Sequence, residues 1–344
     1  MNTPETPAPL DPEARHALEL IDGMRASKVT FTAVSLGLFD ALHQGPASLD
    51  ELAARLHCAG HALERLLGAC CGLGLLELRD GLYSNLPVAT RFLRTQSPET
   101  LSGYMLYSDR ISFRLWGRLE DAVREGTHRW AQEFGGGANI FEHFFATEEA
   151  KLTFLAGMHG LGLLGSPALA AAFDLSRFRR LVDVGGGTGH LAIEVCRRYP
   201  GMAACVFDLP AVTVVARRYI DEAGLAGRMT TADGDFFREA LPPADLYCVG
   251  RILHDWSDEK VRFLLDKICK TLPAGGGLLI CEKTIDEGRD GPATAYLQSL
   301  NMLVCTEGRE RTASEYEQLA REAGFGEFAV RRTGRPLDAL LAVK

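Results

Sequence analysis

The chain has 344 residues, 47% of them hydrophobic and 24% charged, with a formal net charge of −8. That balance suits a globular chain of one large and one small unit and argues against general nucleic-acid binding, which needs a basic surface. Nine cysteines without a C-x-x-C or framework spacing read as reduced thiols of a cytoplasmic protein, and no apolar run reaches membrane-spanning length.

Residues 1–11 are Pro-rich and acidic, lack the apolar stretch of a secretory signal, and are expected to be a disordered tail. From Pro12 to His43 apolar residues recur at helical spacing, with Gly37 predicting a bend or a break into two helices. Ser48-x-x-Glu51 is a capping box opening LDELAARL. A further helix, HALERLLGACCGLGL, precedes two short strands around Asp80-Gly81. Helix, helix, hairpin is the winged-helix order. Its second helix offers only His61 and Arg65 as basic groups, beside Glu64, so residues 12–110 are expected to form a winged-helix-like packing or dimerisation domain rather than a DNA reader. Residues 111–170 read as linking helices with glycine breaks. Trp116, Leu119 and Val123 sit at helical spacing, and Trp116, Trp130 and the phenylalanines within 141–145 are expected in the core.

From residue 171 to 344 strands and helices alternate. Leu181 to His190, LVDVGGGTGH, reads as strand, tight glycine loop, helix. Strands are expected at 204–210, near Met229, at 246–250 and at 278–285. Helices are expected at 211–223, 258–272, 293–305 and after the Thr312-x-x-Glu315 cap. FAVRRTG and LDALLAVK form a closing hairpin. The implied fold is α/β: a doubly wound, Rossmann-like, mainly parallel sheet with a terminal antiparallel strand.

In such sheets ligands gather at the carboxyl ends of the strands. The glycine loop has the pattern Asp183-x-Gly185-x-Gly187-x-Gly189, one residue shorter than the dinucleotide fingerprint and headed by an acid. An acid there repels phosphate and suits an ammonium-bearing cofactor, S-adenosylmethionine rather than NAD; a glycine-rich surface turn is the bland alternative. Asp208 ends the next strand, where it can accept both ribose hydroxyls or simply favour a helix N-terminus. Asp235 can meet an adenine amine, with Phe236 against the ring, or close an Asx-turn. Arg251 and His254 end the fourth strand, Glu282 lies in the fifth, and Glu310 follows in EGRERT. His254 is the catalytic candidate, because histidine exchanges protons near neutral pH, with Glu282 and Glu310 to orient its ring. The histidine spacings show no metal-ligand set, so no metal is expected.

At DVGGGTG, VFDLP, GDFF, ADLYCVGRILHDWSDEK, SLNMLV, TEGRERT and LDALLAVK the chain resembles the plant-type S-adenosylmethionine-dependent O-methyltransferases, from about residue 18 to Lys344. REGTH, FDLS and SLNMLV draw it toward the hydroxyindole branch of that family. The resemblance implies methylation of a small aromatic hydroxyl, a phenol or a hydroxyindole of the N-acetylserotonin type, by a homodimer. It implies His254 as general base flanked by Glu282 and Glu310. Asp183, Gly185, Gly187, Asp208, Leu209, Gly234, Asp235, Phe236 and Arg251 would hold S-adenosylmethionine and the product S-adenosylhomocysteine. Asp255 and Asn301 would contact substrate, with the thioethers of Met158 and Met302 on its ring. Three positions depart from the hydroxyindole branch: Phe145 stands for Tyr, Gly162 for Trp, and Cys305 for Gln beside the substrate. Two other readings remain: a weakly active cofactor-binding paralogue with a scaffold or regulatory role, and a winged-helix regulator.

Overall fold

The computed structural model describes residues 10–135 and 147–344. The expected tail at 1–11 therefore lies almost wholly outside the described residues, as do Phe141, Phe144 and Phe145. The chain forms two compact units, Met1–Asp109 and Arg110–Lys344.

In the first unit α1 (Pro12–Ser35) starts from Asp11, whose side chain accepts the backbone N–H groups of Glu13 and Ala14. Gly37, at φ 73°, turns the chain into α2 (Leu38–Ala41), so the Gly37 interruption is a break between two helices. The Ser48–Glu51 capping box opens α3 (Leu49–Leu56) and is followed by α4 (Gly60–Gly72). The hairpin β1 (Leu76–Arg79) and β2 (Leu82–Asn85) closes through Asp80 and Gly81, both at positive φ, the two-residue loop whose twist suits antiparallel strands. Leu38, Phe39, Leu52, Leu63, Leu67 and Leu76 pack into this unit's core. Helix α5 (Ser102–Tyr107) packs on α1.

The second unit begins with α6 (Phe113–Trp116), α7 (Leu119–Glu125) and α8 (Trp130–Phe134). Trp116, Leu119 and Val123 do not share one helix: Gly117 and Arg118 interrupt it, and Val123 is exposed. Next come α9 (Glu148–Leu163) and α10 (Ser166–Ala171). The doubly wound part then runs β3 (Arg180–Val184), α11 (His190–Arg198), β4 (Ala203–Asp208), α12 (Pro210–Glu222), β5 (Met229–Asp233), β6 (Leu246–Gly250), α13 (Asp258–Thr271), β7 (Gly277–Glu282), α14 (Ala293–Cys305), α15 (Ala313–Glu322), β8 (Glu327–Arg331) and β9 (Asp338–Val343).

The sheet order is β5-β4-β3-β6-β7-β9-β8, parallel except for β9, which is antiparallel to both neighbours. The last strand of the chain thus lies inside the sheet and β8 takes the edge. Strand β7 ends at Glu282, three residues short of the sequence expectation, where its carboxylate turns to the β6 side. Alternation splits the strands between two core layers. Leu181, Leu246, Cys248 and Leu279 face one, and Val182, Tyr247, Leu278 and Ile280 the other. The order reverses between β3 and β6, the crevice where such sheets take ligands. No helix of the described residues is long and apolar enough to cross a membrane.

Candidate active site

The loop after β3 needs glycine for two reasons. Gly185, Gly187 and Gly189 have φ of 66°, 58° and 77°, the left-handed region that disfavours side chains. A Cβ on Gly189 would come 2.8 Å from Val206 Cγ2, and one on Gly185 would overlap Ile252 Cδ1. At Gly187 a Cβ would meet nothing within 4 Å, so there the loop faces open space. This separates it from a mere surface turn: it is packed on both sides and open in the middle.

Two acids lie under the opening. Asp183 is 3% exposed. Asp208 Oδ2 accepts the Gly187 N–H at 2.8 Å, and its Oδ1 accepts the Leu209 N–H at 2.7 Å. Burial, with the charge of Asp208 added, pushes Asp183 up to about 7; burial lifts Asp208 to about 6 against those two N–H groups. Two acids raised in this way favour a cation placed above them. Gly234 is required because a Cβ would come 2.5 Å from the Phe207 ring. Asp235 Oδ1 accepts the Phe237 N–H at 2.8 Å, so the Asx-turn is present, and Phe236 packs against Phe237 and Trp256. Arg251 holds φ 57°, and its buried Nε has no hydrogen-bond partner among the described residues.

His254 rides a single 3₁₀ turn, Leu253–Asp255. Distant residues fix that turn. Glu282 Oε1 accepts the Ile252 and Leu253 N–H groups at 3.0 and 2.8 Å. The fully buried Arg311 donates to the Leu253 and Trp256 carbonyls at 2.9 and 3.0 Å and to Asp258. Gly308 lies so close that a Cβ there would overlap the His254 carbonyl oxygen. The ring's Nδ1 is 2.7 Å from Glu310 Oε1 and 3.4 Å from Glu282 Oε2. The nearest acid to Nε2 is Asp255, at 3.8 Å, beyond hydrogen-bond reach. Nδ1–H therefore donates to Glu310 and Nε2 is the nitrogen left to act. Burial pulls the ring toward neutrality, but the charges of Glu282, Glu310 and Asp255 prevail and lift it to about 10. Burial raises Glu282 to about 7 and Asp255 to about 6. His254, Glu282 and Glu310 are also metal-ligand types within reach of one another. The 2.7 Å separation, however, is a hydrogen bond between two of them.

Helix α14 packs on the His254 turn and carries Asn301 and Cys305 on one face, four residues apart. Trp116 Nε1 donates to Asn301 Oδ1 at 2.8 Å, and Trp130 Nε1 to the Cys305 carbonyl at 2.6 Å. Trp130 is core as expected, whereas Trp116 fixes a candidate site residue. Met302 is buried one residue further round the helix, and Met158 is half-buried on α9, which packs on α11. Gly162 is buried, and a Cβ there would overlap the His190 ring. His190 Nδ1 lies 2.8 Å from Ser166 Oγ, and His159 Nδ1 lies 2.8 Å from Thr188 Oγ1 while its ring stacks on Tyr219. Sequence reasoning missed Gly308, Arg311, His159 and His190. EGRERT drew notice for Glu310 only, since a charged run gives no sign of which arginine is buried.

Residues 116–326 match the O-methyltransferase domain and residues 18–95 the O-methyltransferase dimerisation domain. The chain is 42% identical over 330 residues to acetylserotonin O-methyltransferase of Gallus gallus, covering 94% of this chain and 95% of that one. The crystal structure of human N-acetylserotonin methyltransferase in complex with S-adenosylmethionine aligns with TM-score 0.93 at 38% identity, over 98% of this chain and 99% of that one. A structure of PigF with S-adenosylhomocysteine aligns with TM-score 0.89 at 30% identity, over 97% and 100% of the two chains.

Proposed function

Because this chain belongs to the S-adenosylmethionine-dependent O-methyltransferases, we propose that it methylates the hydroxyl of a small aromatic molecule, a phenol or a hydroxyindole of the N-acetylserotonin type, with His254 as general base. The observation that carries this reading is the ring held by Glu310 at Nδ1, with Nε2 unbonded among the described residues, at the end of β6 and under α14. The scaffold alternative draws no support from the relatives, and a winged-helix regulator none from the enzyme domain that fills most of the chain.

The cofactor's site fits the residues present. The raised acids Asp183 and Asp208 favour its positive charge, Gly187 leaves it room, and Arg251 Nε, without a partner among the described residues, is free to donate to it. Leu209, Gly234, Asp235 and Phe236 complete the cradle in this reading, with Asp208 toward the ribose and Phe236 toward the adenine. S-adenosylmethionine supplies a methyl group already activated on a sulfonium, so the protein's work is positioning and proton removal. His254 Nε2 takes the proton of the aromatic hydroxyl. Glu310 fixes the tautomer and, with Glu282, stabilises the charged ring that results. The three carboxylates that raise the ring make it a stronger base than an ordinary histidine, which favours removal of a phenol's proton. Asn301 and Asp255 present polar groups to the substrate and Cys305 shares their wall; Met158 and Met302 would line its ring. Gly162 and Cys305 make this pocket differ from the hydroxyindole branch.

The relatives' dimerisation domain and the exposed Leu18, Leu20, Ile21 and Met24 on α1 support a homodimer through residues 12–110. Nine cysteines with free thiols suit a cytoplasmic setting. The test is a methyl-transfer screen over indole and catechol phenols with labelled S-adenosylmethionine. Label transfer to at least one hydroxyl is expected, and binding of cofactor without transfer to any would overturn the assignment.

A further inference from the structure

His190 is the first residue of α11, directly after the glycine loop. Its surroundings define its proton. Ser166 Oγ lies 2.9 Å from the Gly162 carbonyl, to which its single hydrogen is donated, the usual bond of a serine to the helix turn before it. The same oxygen must then accept from His190 Nδ1, 2.8 Å away. In the neutral ring this leaves Nε2 as an acceptor. Burial, with the nearby charges of His159 and Arg251, holds the ring far below the ordinary histidine range, at about 3, so it stays neutral.

Nε2 has no hydrogen-bond partner among the described residues, and His190 itself is half-buried, not fully enclosed. The outer edge of the ring occupies the place where a side chain at 162 would begin, and Gly162 is what makes room for it. Sheet order then indicates what passes by. If adenine lies at β5 and ribose at Asp208 on β4, the amino-acid end of the cofactor lies over the β3 loop toward β6, beside His190 and Arg251. We propose that His190 is a cofactor-recognition residue whose Nε2 accepts a hydrogen bond from the α-ammonium of S-adenosylmethionine or S-adenosylhomocysteine. Gly162 and His190 act as one exchange, with a side chain supplied from the glycine loop where the facing helix supplies none. This rests on the cofactor reading above.

Calorimetry with S-adenosylhomocysteine and its deamino analogue tests the two readings separately. Binding of S-adenosylhomocysteine to the unaltered protein is the check on the cofactor site, and its failure overturns that site and this proposal together. In His190→Ala the affinity for S-adenosylhomocysteine should fall by about tenfold or more, the loss expected for one charge-assisted hydrogen bond. The affinity for the deamino analogue should barely change, which also shows that the variant is folded. His190→Gln, which keeps an acceptor at similar reach, should recover part of the loss. Gly162→Ala should weaken S-adenosylhomocysteine in the unaltered background and cost nothing further in His190→Ala. Equal losses for both ligands would make His190 a mere brace of the loop, and no loss for either would remove it from the site; each overturns the proposal.

Discussion

The glycine loop and the His254 turn both lie at strand ends of one sheet, and they are built in opposite ways. The loop holds its shape through three left-handed glycines and one acid reached 21 residues on. The turn is one loop of 3₁₀ helix with no side-chain cap of its own. It is held by Glu282, Glu310, Gly308 and Arg311, between 29 and 58 residues away in sequence. The loop takes its form from backbone chirality and therefore survives as a motif. The turn takes its form from buried polar side chains that must all arrive together, and a buried polar group left without its partner is costly. Binding should thus be robust and local, and catalysis sensitive to distant substitutions.

The largest expected effect separates the two regions outright. His254→Ala should lower turnover on a phenol by at least ~10²-fold while S-adenosylhomocysteine affinity is unchanged, as steady-state rates beside calorimetry would show. A near-normal rate would mean that proximity alone carries the reaction. Asp208→Ala should do the converse, weakening cofactor binding by roughly 1.5–3 kcal/mol through loss of charge-assisted bonds. Because Asp208 is raised to about 6, its accepting, charged form fades as pH drops below that value. Cofactor affinity should therefore decline in acid, and Asp208→Asn should flatten the decline.

Arg311→Met sharpens the comparison from a distance. It leaves the Leu253 and Trp256 carbonyls without their donor, at a cost of about 1–3 kcal/mol in stability. Turnover should fall severalfold more than cofactor affinity; equal losses would mean that the two regions are not independent. The smallest effect is a displaced pH profile. With His254 lifted to about 10, its ring is largely protonated at neutral pH, and the form able to take a proton grows as pH rises. The kcat/KM should climb from about pH 7 to about pH 9. Glu310→Gln removes one of the three charges that raise the ring, so the climb should begin at lower pH while the plateau drops. A profile that levels off near the ordinary histidine pKa of about 6.5 in the unaltered enzyme would show that the carboxylates are not charged around the ring.

Much of this was legible in the sequence because it is local. The Ser48 and Thr312 capping boxes, the Asp80-Gly81 turn, the Gly37 break and the alternation of β3 through β7 each depend on a few neighbouring residues, and all stand in the structure. Candidate site residues were legible wherever a strand end announced them, as at Asp208, Arg251 and His254. Tertiary structure alone decided the rest. It put β9 inside the sheet and β8 at its edge, since either order satisfies the same alternation. It chose Arg311, not nearby Arg309, for full burial beneath the His254 turn, because only packing distinguishes two arginines two residues apart. It set His190 into the space left by Gly162, a pairing across 28 residues that no period in the chain encodes. And it raised His254 by bringing Glu282 and Glu310 from two distant segments to join its neighbour Asp255, because charge acts through space and not along sequence.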